Sequence, residues 1–197
     1  MNQNAAVPNE NQADTRAVQA VLSGDRNAFR EIVDRYTPVL YSLAYRMLGD
    51  AAAAEESVQE IFLQLYRSLG RYDQDRRFYT WMFTVAINYL RSFLRSRRWK
   101  NRGNVISFDE SGGHSAADSE SPGPEDDAVR REAERAVHDA LVLLGMKYRE
   151  VFVLREIEEI PVRETAVILG IPENTVKTLH RRAREQLKKI LILRDWE

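Results

Sequence analysis

The segment at residues 160–189, IPVRETAVILGIPENTVKTLHRRAREQLKK, constrains the fold more than any other part of the chain. Pro161 suits the first turn of a helix, because a backbone N–H at that position would have no helical partner. Gly170 can adopt the left-handed conformation that ends a helix, and Pro172 prevents the helix from continuing. We therefore predict a short helix over residues 163–169, a tight turn and then a second helix.

The second predicted helix is amphipathic and basic. Its apolar residues recur every three or four positions and share one face: Val176, Leu179, Ala183, Leu187 and Ile190. Between residues 176 and 190 its only acid is Glu185, and its bases are Lys177, Arg181, Arg182, Arg184, Lys188 and Lys189. This is the helix-turn-helix arrangement that reads a DNA major groove. The alternative is an ordinary helix pair with a solvated basic face. The compact AVILGIP turn and the restriction of the bases to the second helix favour DNA binding.

Composition excludes several kinds of site. The 197 residues are 44% hydrophobic, which suffices for one large or two small domains with buried cores. The absence of cysteine excludes disulfides, thiolate metal sites and cysteine nucleophiles. The three histidines, His114, His138 and His180, are scattered, so we expect no metal and no cofactor. No apolar stretch is long enough for a transmembrane helix and no signal peptide is visible, so we expect a cytoplasmic protein without membrane insertion.

The net charge of −1 conceals a strong pattern along the chain. Residues 1–15 carry −2, residues 16–102 carry +6, residues 103–127 carry −7 and residues 128–197 carry +2. Two basic segments therefore flank an acidic one. This distribution is typical of a nucleic-acid-binding protein even though the average charge is near zero.

The periodicity predicts an all-α protein of two small helical domains. We expect a disordered polar tail at 1–15, a four-helix domain at 16–102, a flexible acidic linker at 103–127 and a helix-turn-helix domain at 128–197. Helices are predicted from residue 15, over roughly 26–48, over 51–69, from 78 to about 100, from 128 to 144 and over 148–158. Asp25 and Asp50 are expected to cap the helices that follow them.

Four segments carry a family resemblance, and together they cover nearly everything outside the tail and the linker. They are GDRNAFREIVDRY (24–36), YSLAYRMLGDAAAAEESVQEIFLQLYRSL (41–69), FYTWMFTVAIN (78–88) and YREVFVLREIEEIPVRETAVILGIPENTVKTLHRRAREQL (148–187). In order and spacing the chain resembles the extracytoplasmic-function (ECF) sigma factors of bacterial RNA polymerase. The resemblance implies a sigma region 2-like domain that reads and melts the promoter −10 element, and a sigma region 4-like domain that reads the −35 element.

The resemblance also implies partners. These are core RNA polymerase, through its largest and second-largest subunits, promoter DNA and an anti-sigma factor, with a monomer expected when the protein is free of polymerase. The residues matched to core-polymerase binding are Glu55, Glu56, Gln59 and Glu60. An acidic ridge beside apolar residues suits protein docking, although acids at a helix start also stabilise the helix dipole.

The loop at 72–77 and the helix that follows resemble the part of the family that captures a flipped −10 base. The residues matched to −10 DNA binding are Tyr72, Asp73, Arg76, Arg77, Asn88, Arg91, Arg95 and Arg98. Asn88 would hydrogen-bond a base edge, and the arginines would hold phosphates. Trp81, Phe83 and Tyr89 have the chemistry of stacking platforms. Aromatics at helical spacing are more often core residues, and we predict that Trp81 is mainly structural.

The second helix of the helix-turn-helix motif resembles the part that reads the −35 element. The matched residues are Glu173, Asn174, Thr175, Lys177, Thr178, Arg181 and Arg182. The family usually has Thr-Val-Lys-Ser-Arg-Leu-His-Arg-Ala-Arg, whereas this chain has TVKTLHRRAR, with Leu179 where an arginine is common. The acidic linker resembles the segment that threads through the polymerase, where its acids would mimic nucleic acid; a soluble spacer is the alternative.

Two other classes of function are considered. A stand-alone helix-turn-helix transcriptional regulator would pair the same DNA-reading motif with a ligand-sensing or dimerising domain. The aromatic, basic helix after residue 78 and the acidic ridge favour a sigma factor over that class. An enzyme would need convergent acid, base, nucleophile or metal groups, and the sequence shows none.

Overall fold

The computed structural model describes residues 7–103 and 136–194, and all regular elements in these ranges are helices. The N-terminal domain contains α1 (Val7–Leu22), α2 (Phe29–Leu48), α3 (Ala51–Ser68) and α4 (Phe78–Gly103), with short 3₁₀ turns at Arg26–Ala28 and Leu69–Arg71. The C-terminal domain contains α5 (136–143), α6 (Met146–Phe152), a π-helical turn (Val153–Ile157), α7 (Val162–Leu169) and α8 (Glu173–Arg194). The predicted all-α class is confirmed. The expected linker lies outside the described residues after Gly103, as does the start of the helix expected from residue 128.

Helix α1 begins at Val7, eight residues before its predicted start. Its Asp14 is only 2% exposed and accepts hydrogen bonds from the Tyr36 hydroxyl, at 2.5 Å, and from the Arg35 guanidinium. The tail predicted for residues 1–15 therefore contains the first half of a packed helix. The polar stretch has little apolar periodicity, and its order depends on contacts with α2.

The predicted helix boundaries follow from local capping chemistry. The Asp25 carboxylate accepts from the N–H of Asn27 at 3.0 Å, and the Asp50 carboxylate accepts from the N–H of Ala53 at 2.7 Å. Gly49 ends α2 with a φ of +75°. A Cβ at this position would lie 2.7 Å from the Val142 side chain of α5, so the two domains approach closely at this turn.

One apolar cluster runs through both domains. In the N-terminal domain its fully buried members include Ile32, Leu40, Leu43, Ile61, Leu65, Phe78, Met82 and Ile87. In the C-terminal domain they include Val151, Val153, Leu154, Ile160 and Val176. The domains are therefore packed against each other, with α7 lying on α4. Within the part of the chain that is described, none of the helices has both the length and the apolarity needed to cross a membrane.

Candidate nucleic-acid interfaces

Helices α7 and α8 form the predicted helix-turn-helix unit. Gly170 takes a φ of +67°, and the N–H of Ile171 donates to the Ala166 carbonyl at 3.1 Å, which closes the end of α7. Helix α8 buries Val176 and Ala183 completely. All the residues matched to −35 binding lie on its exposed surface: Glu173, Asn174, Thr175, Lys177, Thr178, Arg181 and Arg182.

The reordered run of α8 has a structural explanation. Leu179 is half-buried and packs against the main apolar cluster, so this position faces the protein interior. The guanidinium of Arg181 lies at the surface and donates to the Glu185 carboxylate at 2.5 Å. Their side chains are 66% and 54% exposed. A pair this exposed contributes little to stability, so Arg181 can exchange its partner for DNA at low cost.

A basic cleft of about 340 Å³ runs beside α8. Its lining includes Lys177 and Arg181 from the predicted surface, together with Arg155 of the π-helical turn and Arg184. Arg155 was not identified from the sequence, because its position beside α8 depends on the packing of α8 against α6 and of α7 against the π-helical turn. Its guanidinium donates to the Ile160 carbonyl. Arg184 follows Arg181 at helical spacing, and that spacing could have identified it.

Asn88 lies at a second polar groove, between the end of α3 and the middle of α4. This Asn88 groove has a volume of about 400 Å³ and is lined by Gln64, Arg67, Ser68, Arg71, Val85 and Asn88. The side chain of Asn88 is exposed. An amide with two guanidinium groups nearby can hydrogen-bond a base edge and hold its phosphate. Arg67 and Arg71 were missed, since their only sequence signal is a pair of bases near the end of α3.

The aromatic residues of α4 that have the chemistry of stacking platforms are mainly structural. Phe83 is completely buried, so it cannot serve as a stacking platform. Trp81 is half-buried against Tyr72 and Phe78, at ring centroid distances of 5.1 and 5.5 Å. Tyr89 is half-buried, and burial, followed by the charges of Glu60 and Glu56, raises the pKa of its hydroxyl. The structural role predicted for Trp81 agrees with these contacts.

Tyr72 was predicted to contact DNA directly, but its side chain is buried in this structure. It is 6% exposed, and its hydroxyl donates to the Arg76 carbonyl at 2.5 Å. Burial, with smaller contributions from the charges of Asp14 and Asp73, raises the pKa of Tyr72 to about 12. The ring therefore fixes the 72–77 loop in this structure and presents no face to a ligand.

The predicted −10 arginines whose side chains are described fall into two groups. Arg91 and Arg77 bond to carboxylates of the C-terminal domain, whereas Arg76 and Arg95 have partners within the N-terminal domain. Arg91 donates to both oxygens of Glu150 in α6, at 2.7 and 2.6 Å, and these hydrogen bonds raise the pKa of Arg91 above its usual value. Arg77 donates to Glu164 of α7 at 2.9 Å. Arg76 pairs with Asp73 at 3.2 Å, and Arg95 donates to the Ser92 hydroxyl at 3.1 Å. Arg98 lies in α4, but its side chain is outside the described part.

The residues matched to core-polymerase binding form an acidic and apolar ridge on α3. Glu55, Glu56 and Gln59 are exposed and Glu60 is half-buried. Leu63 and Tyr66 continue the ridge by one to two helical turns and are 45% and 39% exposed. Exposed apolar side chains rimmed by charge are typical of a protein interaction site. We call Glu55, Glu56, Gln59, Glu60, Leu63 and Tyr66 the docking ridge.

Comparisons with known proteins agree with this arrangement. The family model for sigma-70 region 2 matches residues 32–100, and the model for sigma-70 region 4 matches residues 134–187. The ECF RNA polymerase sigma factor SigW of Bacillus subtilis is 34% identical over 178 residues, covering 89% of this chain and 95% of the relative. The chain belongs to the ECF sigma factor family.

A second relative and a solved structure extend the match. The RNA polymerase sigma-H factor of Pseudomonas aeruginosa is 32% identical over 182 residues, covering 90% of this chain and 93% of the relative. The solved structure of CnrH in complex with the cytosolic domain of CnrY has a TM-score of 0.66 at 27% identity, covering 92% of this chain and 98% of CnrH. The resemblance noted in the sequence is thereby confirmed. As an ECF sigma factor, the protein is a DNA-binding promoter-recognition subunit for transcription initiation, and a stand-alone regulator is not favoured.

Proposed function

We propose that this sigma factor uses three separate surfaces to start transcription. The docking ridge of α3 binds core RNA polymerase. The Asn88 groove, with Arg77 and the arginines of α4, engages the −10 element, and α8 reads the −35 element. The observation that carries this proposal is the exposure of every matched −35 residue on α8, directly after the left-handed turn at Gly170. The protein acts in the cytoplasm as a non-catalytic subunit, and the chemistry of RNA synthesis belongs to the polymerase.

At the −35 element, α8 would enter the major groove with its first turns. Lys177 and Arg181 lie one helical turn apart and are exposed, so both can reach the same stretch of duplex. A well-aligned arginine contact with guanine contributes about 1–3 kcal/mol of discrimination. Arg184 of the basic cleft has a side chain that is 68% exposed and would hold a phosphate, which supplies affinity without sequence information.

At the −10 element, the groove would receive a base from the separated strand. Asn88 offers both a donor and an acceptor, which suits the hydrogen-bonding edge of a base. Arg67 and Arg71 at the groove would neutralise the phosphates on either side of it. A base must leave the helical stack to reach this site, and this requirement couples recognition to melting.

Two classes of protein partner follow from the surfaces. The docking ridge combines acids with exposed Leu63 and Tyr66, a chemistry that fits a basic and apolar helical surface on the largest polymerase subunit, with further contacts to the second-largest subunit. CnrH was solved with the cytosolic domain of CnrY bound. We propose that an anti-sigma protein likewise binds this chain and competes with polymerase.

The test is transcription by core polymerase with this protein, from start sites that the wild-type holoenzyme selects in genomic DNA. Arg182→Ala should lower transcription about ten-fold or more, a loss within the range of a direct base or phosphate contact. Lys189→Ala removes the same charge from an exposed position two turns further along α8, and should change transcription less than about two-fold. Both variants should retain core binding. Equal losses in the two variants would show that α8 contributes only general charge.

A further inference from the structure

One contact between the domains joins a predicted DNA-binding cation to a buried carboxylate. Arg91 of α4 forms two parallel hydrogen bonds with Glu150 of α6, at 2.7 and 2.6 Å. The side chain of Glu150 is 4% exposed and that of Arg91 is 29% exposed. Bidentate, charge-assisted pairs of this kind are among the stronger hydrogen bonds in proteins, and the low exposure limits screening by salt.

A second ion pair between the domains lies just before α4 and has a single guanidinium–carboxylate hydrogen bond. The Glu164 carboxylate of α7 accepts from the Arg77 guanidinium at 2.9 Å and from the Thr80 hydroxyl at 3.1 Å. The side chains of Arg77 and Glu164 are 52% and 23% exposed. This contact is more open to water than the first, so added salt should weaken it sooner.

A third contact holds the carbonyl end of α2. Arg149 is 8% exposed and donates to the Met47 carbonyl of the N-terminal domain at 2.5 Å. It also donates to the Val142 and Leu144 carbonyls of its own domain. A cation is favoured at a helix C-terminus, where unpaired carbonyls carry partial negative charge. Arg149 therefore ties the end of α2 to the turn between α5 and α6.

We propose that these contacts form an autoinhibitory latch, in which Glu150 and Glu164 occupy DNA-binding cations of the N-terminal domain while the protein is free. The Arg91 guanidinium cannot hold a carboxylate bidentately and also neutralise a phosphate. The single bond from Arg77 to Glu164 likewise offsets charge that would otherwise attract a phosphate. The closed arrangement therefore competes with −10 DNA for Arg91 and Arg77. This inference rests on the proposed function, since it takes both arginines as DNA contacts.

The latch should open as a unit. If Arg91 alone rotated away, Glu150 would remain buried without a counter-charge, which is strongly unfavourable. The two domains also share one apolar cluster, so partial opening would expose its surface without gaining DNA contacts. Opening therefore requires α6 and α7 to leave α4 together, and it is favoured by any partner that binds only the separated domains.

The test measures the distance between the domains directly. The chain contains no cysteine, so Arg30→Cys on α2 and Lys189→Cys on α8 give a pair of exposed sites for donor and acceptor dyes. Energy transfer is recorded for the labelled parent, for the double variant Glu150→Gln/Glu164→Gln and for the control Glu31→Gln. Glu31 is an exposed carboxylate in the first turn of α2. Glu31→Gln removes one negative charge and the double variant removes two. The single variant Glu164→Gln is therefore the one that is compared directly with this control.

The double variant should raise the ratio of open to closed protein about ten-fold or more, because it weakens two charge-assisted contacts. Glu164→Gln alone should raise it about two- to five-fold, as expected for a partly exposed pair, and Glu31→Gln should leave it unchanged. Energy transfer in the labelled parent should fall as salt is raised. Helical circular dichroism of each variant shows whether it remains folded, and the single variant and the salt titration preserve the test if the double variant unfolds.

Binding of each free protein to a forked −10 DNA, taken from a start site mapped with the holoenzyme, separates the two claims. If the double variant is open and its DNA affinity rises by a factor similar to the rise in the open-to-closed ratio, the latch and the DNA role of the arginines are both supported. An open double variant with unchanged DNA affinity would keep the interdomain contact but remove Arg77 and Arg91 from the −10 surface, which overturns autoinhibition. Unchanged energy transfer in all variants and at all salt concentrations would overturn the latch itself.

Discussion

The environment of Glu158 predicts both the direction and the size of a change in the free energy of unfolding with pH. It ends the π-helical turn, and its backbone N–H donates to the Val153 carbonyl at 2.9 Å. Its side chain is half-buried. Burial raises the pKa of Glu158 from 4.5 to about 6, although the nearby charge of Arg46 acts in the opposite direction. The folded protein therefore binds a proton at this site more tightly than the unfolded chain does.

The consequence is a loss of stability as pH rises. Well below pH 4.5 the carboxyl is protonated in both states and its burial costs little. Between pH 4.5 and about 6 the unfolded chain releases the proton first, so the free energy of unfolding falls as pH rises through this window. Above the pKa of Glu158 in the folded protein, the free-energy cost of burying the ionised carboxylate is constant. It amounts to about 2 kcal/mol, since one pKa unit corresponds to about 1.4 kcal/mol.

Glu158→Gln keeps the shape of the side chain and removes this titration. At pH 7.5 the variant should be more stable than the wild type by up to about 2 kcal/mol, and at pH 4.5 most of this difference should disappear. Urea unfolding followed by helical circular dichroism at several pH values measures both curves. Glu159→Gln removes the same charge from the adjacent exposed position and serves as the control.

A variant that is less stable than the wild type at pH 7.5 would show that Arg46 offsets the burial of Glu158. A difference that stays constant from pH 4.5 to 7.5 would show that titration of this carboxyl does not contribute. Either result would refute the reasoning.

Three further predictions concern single side chains. Asn88→Ala should reduce open-complex formation more than closed-complex binding, measured by permanganate reactivity and by gel shift; an equal loss in both would remove Asn88 from the base site. Arg149→Met leaves three carbonyls without their donor and should lower the free energy of unfolding by about 2–4 kcal/mol, with a smaller loss for Arg149→Lys. An Arg149→Met variant as stable as the wild type would contradict the bridging role. Tyr72→Phe removes the bond to the Arg76 carbonyl and should cost about 1 kcal/mol in urea unfolding without changing −35 binding. A direct DNA role for the hydroxyl would instead lower −10 binding at unchanged stability.

The features that the sequence predicted well depend on neighbouring residues. Gly170 and Pro172 determine the end of α7 through turn chemistry alone, and Asp50 caps α3 through a bond to a residue three positions away. The spacing of Val176 and Ala183 likewise determines which face of α8 is buried and therefore which residues can face DNA.

The features that were missed depend on distant contacts. The early start of α1 relies on Asp14 meeting Tyr36, twenty-two positions away. The bond between Arg91 and Glu150 joins residues fifty-nine positions apart, on either side of the linker. Local periodicity contains no information about such pairs. The arginines of α4 could therefore be recognised as DNA-binding candidates, while their engagement by the other domain could not.

The most direct test of the account is to purify the protein with core RNA polymerase and map transcription start sites on a pool of genomic DNA. We expect a stable complex and new, discrete start sites that core polymerase alone does not use. The DNA upstream of these sites should share two sequence blocks, one read by α8 and one by the Asn88 groove. Failure to bind core polymerase, together with tight, salt-sensitive binding to duplex DNA alone, would contradict the account.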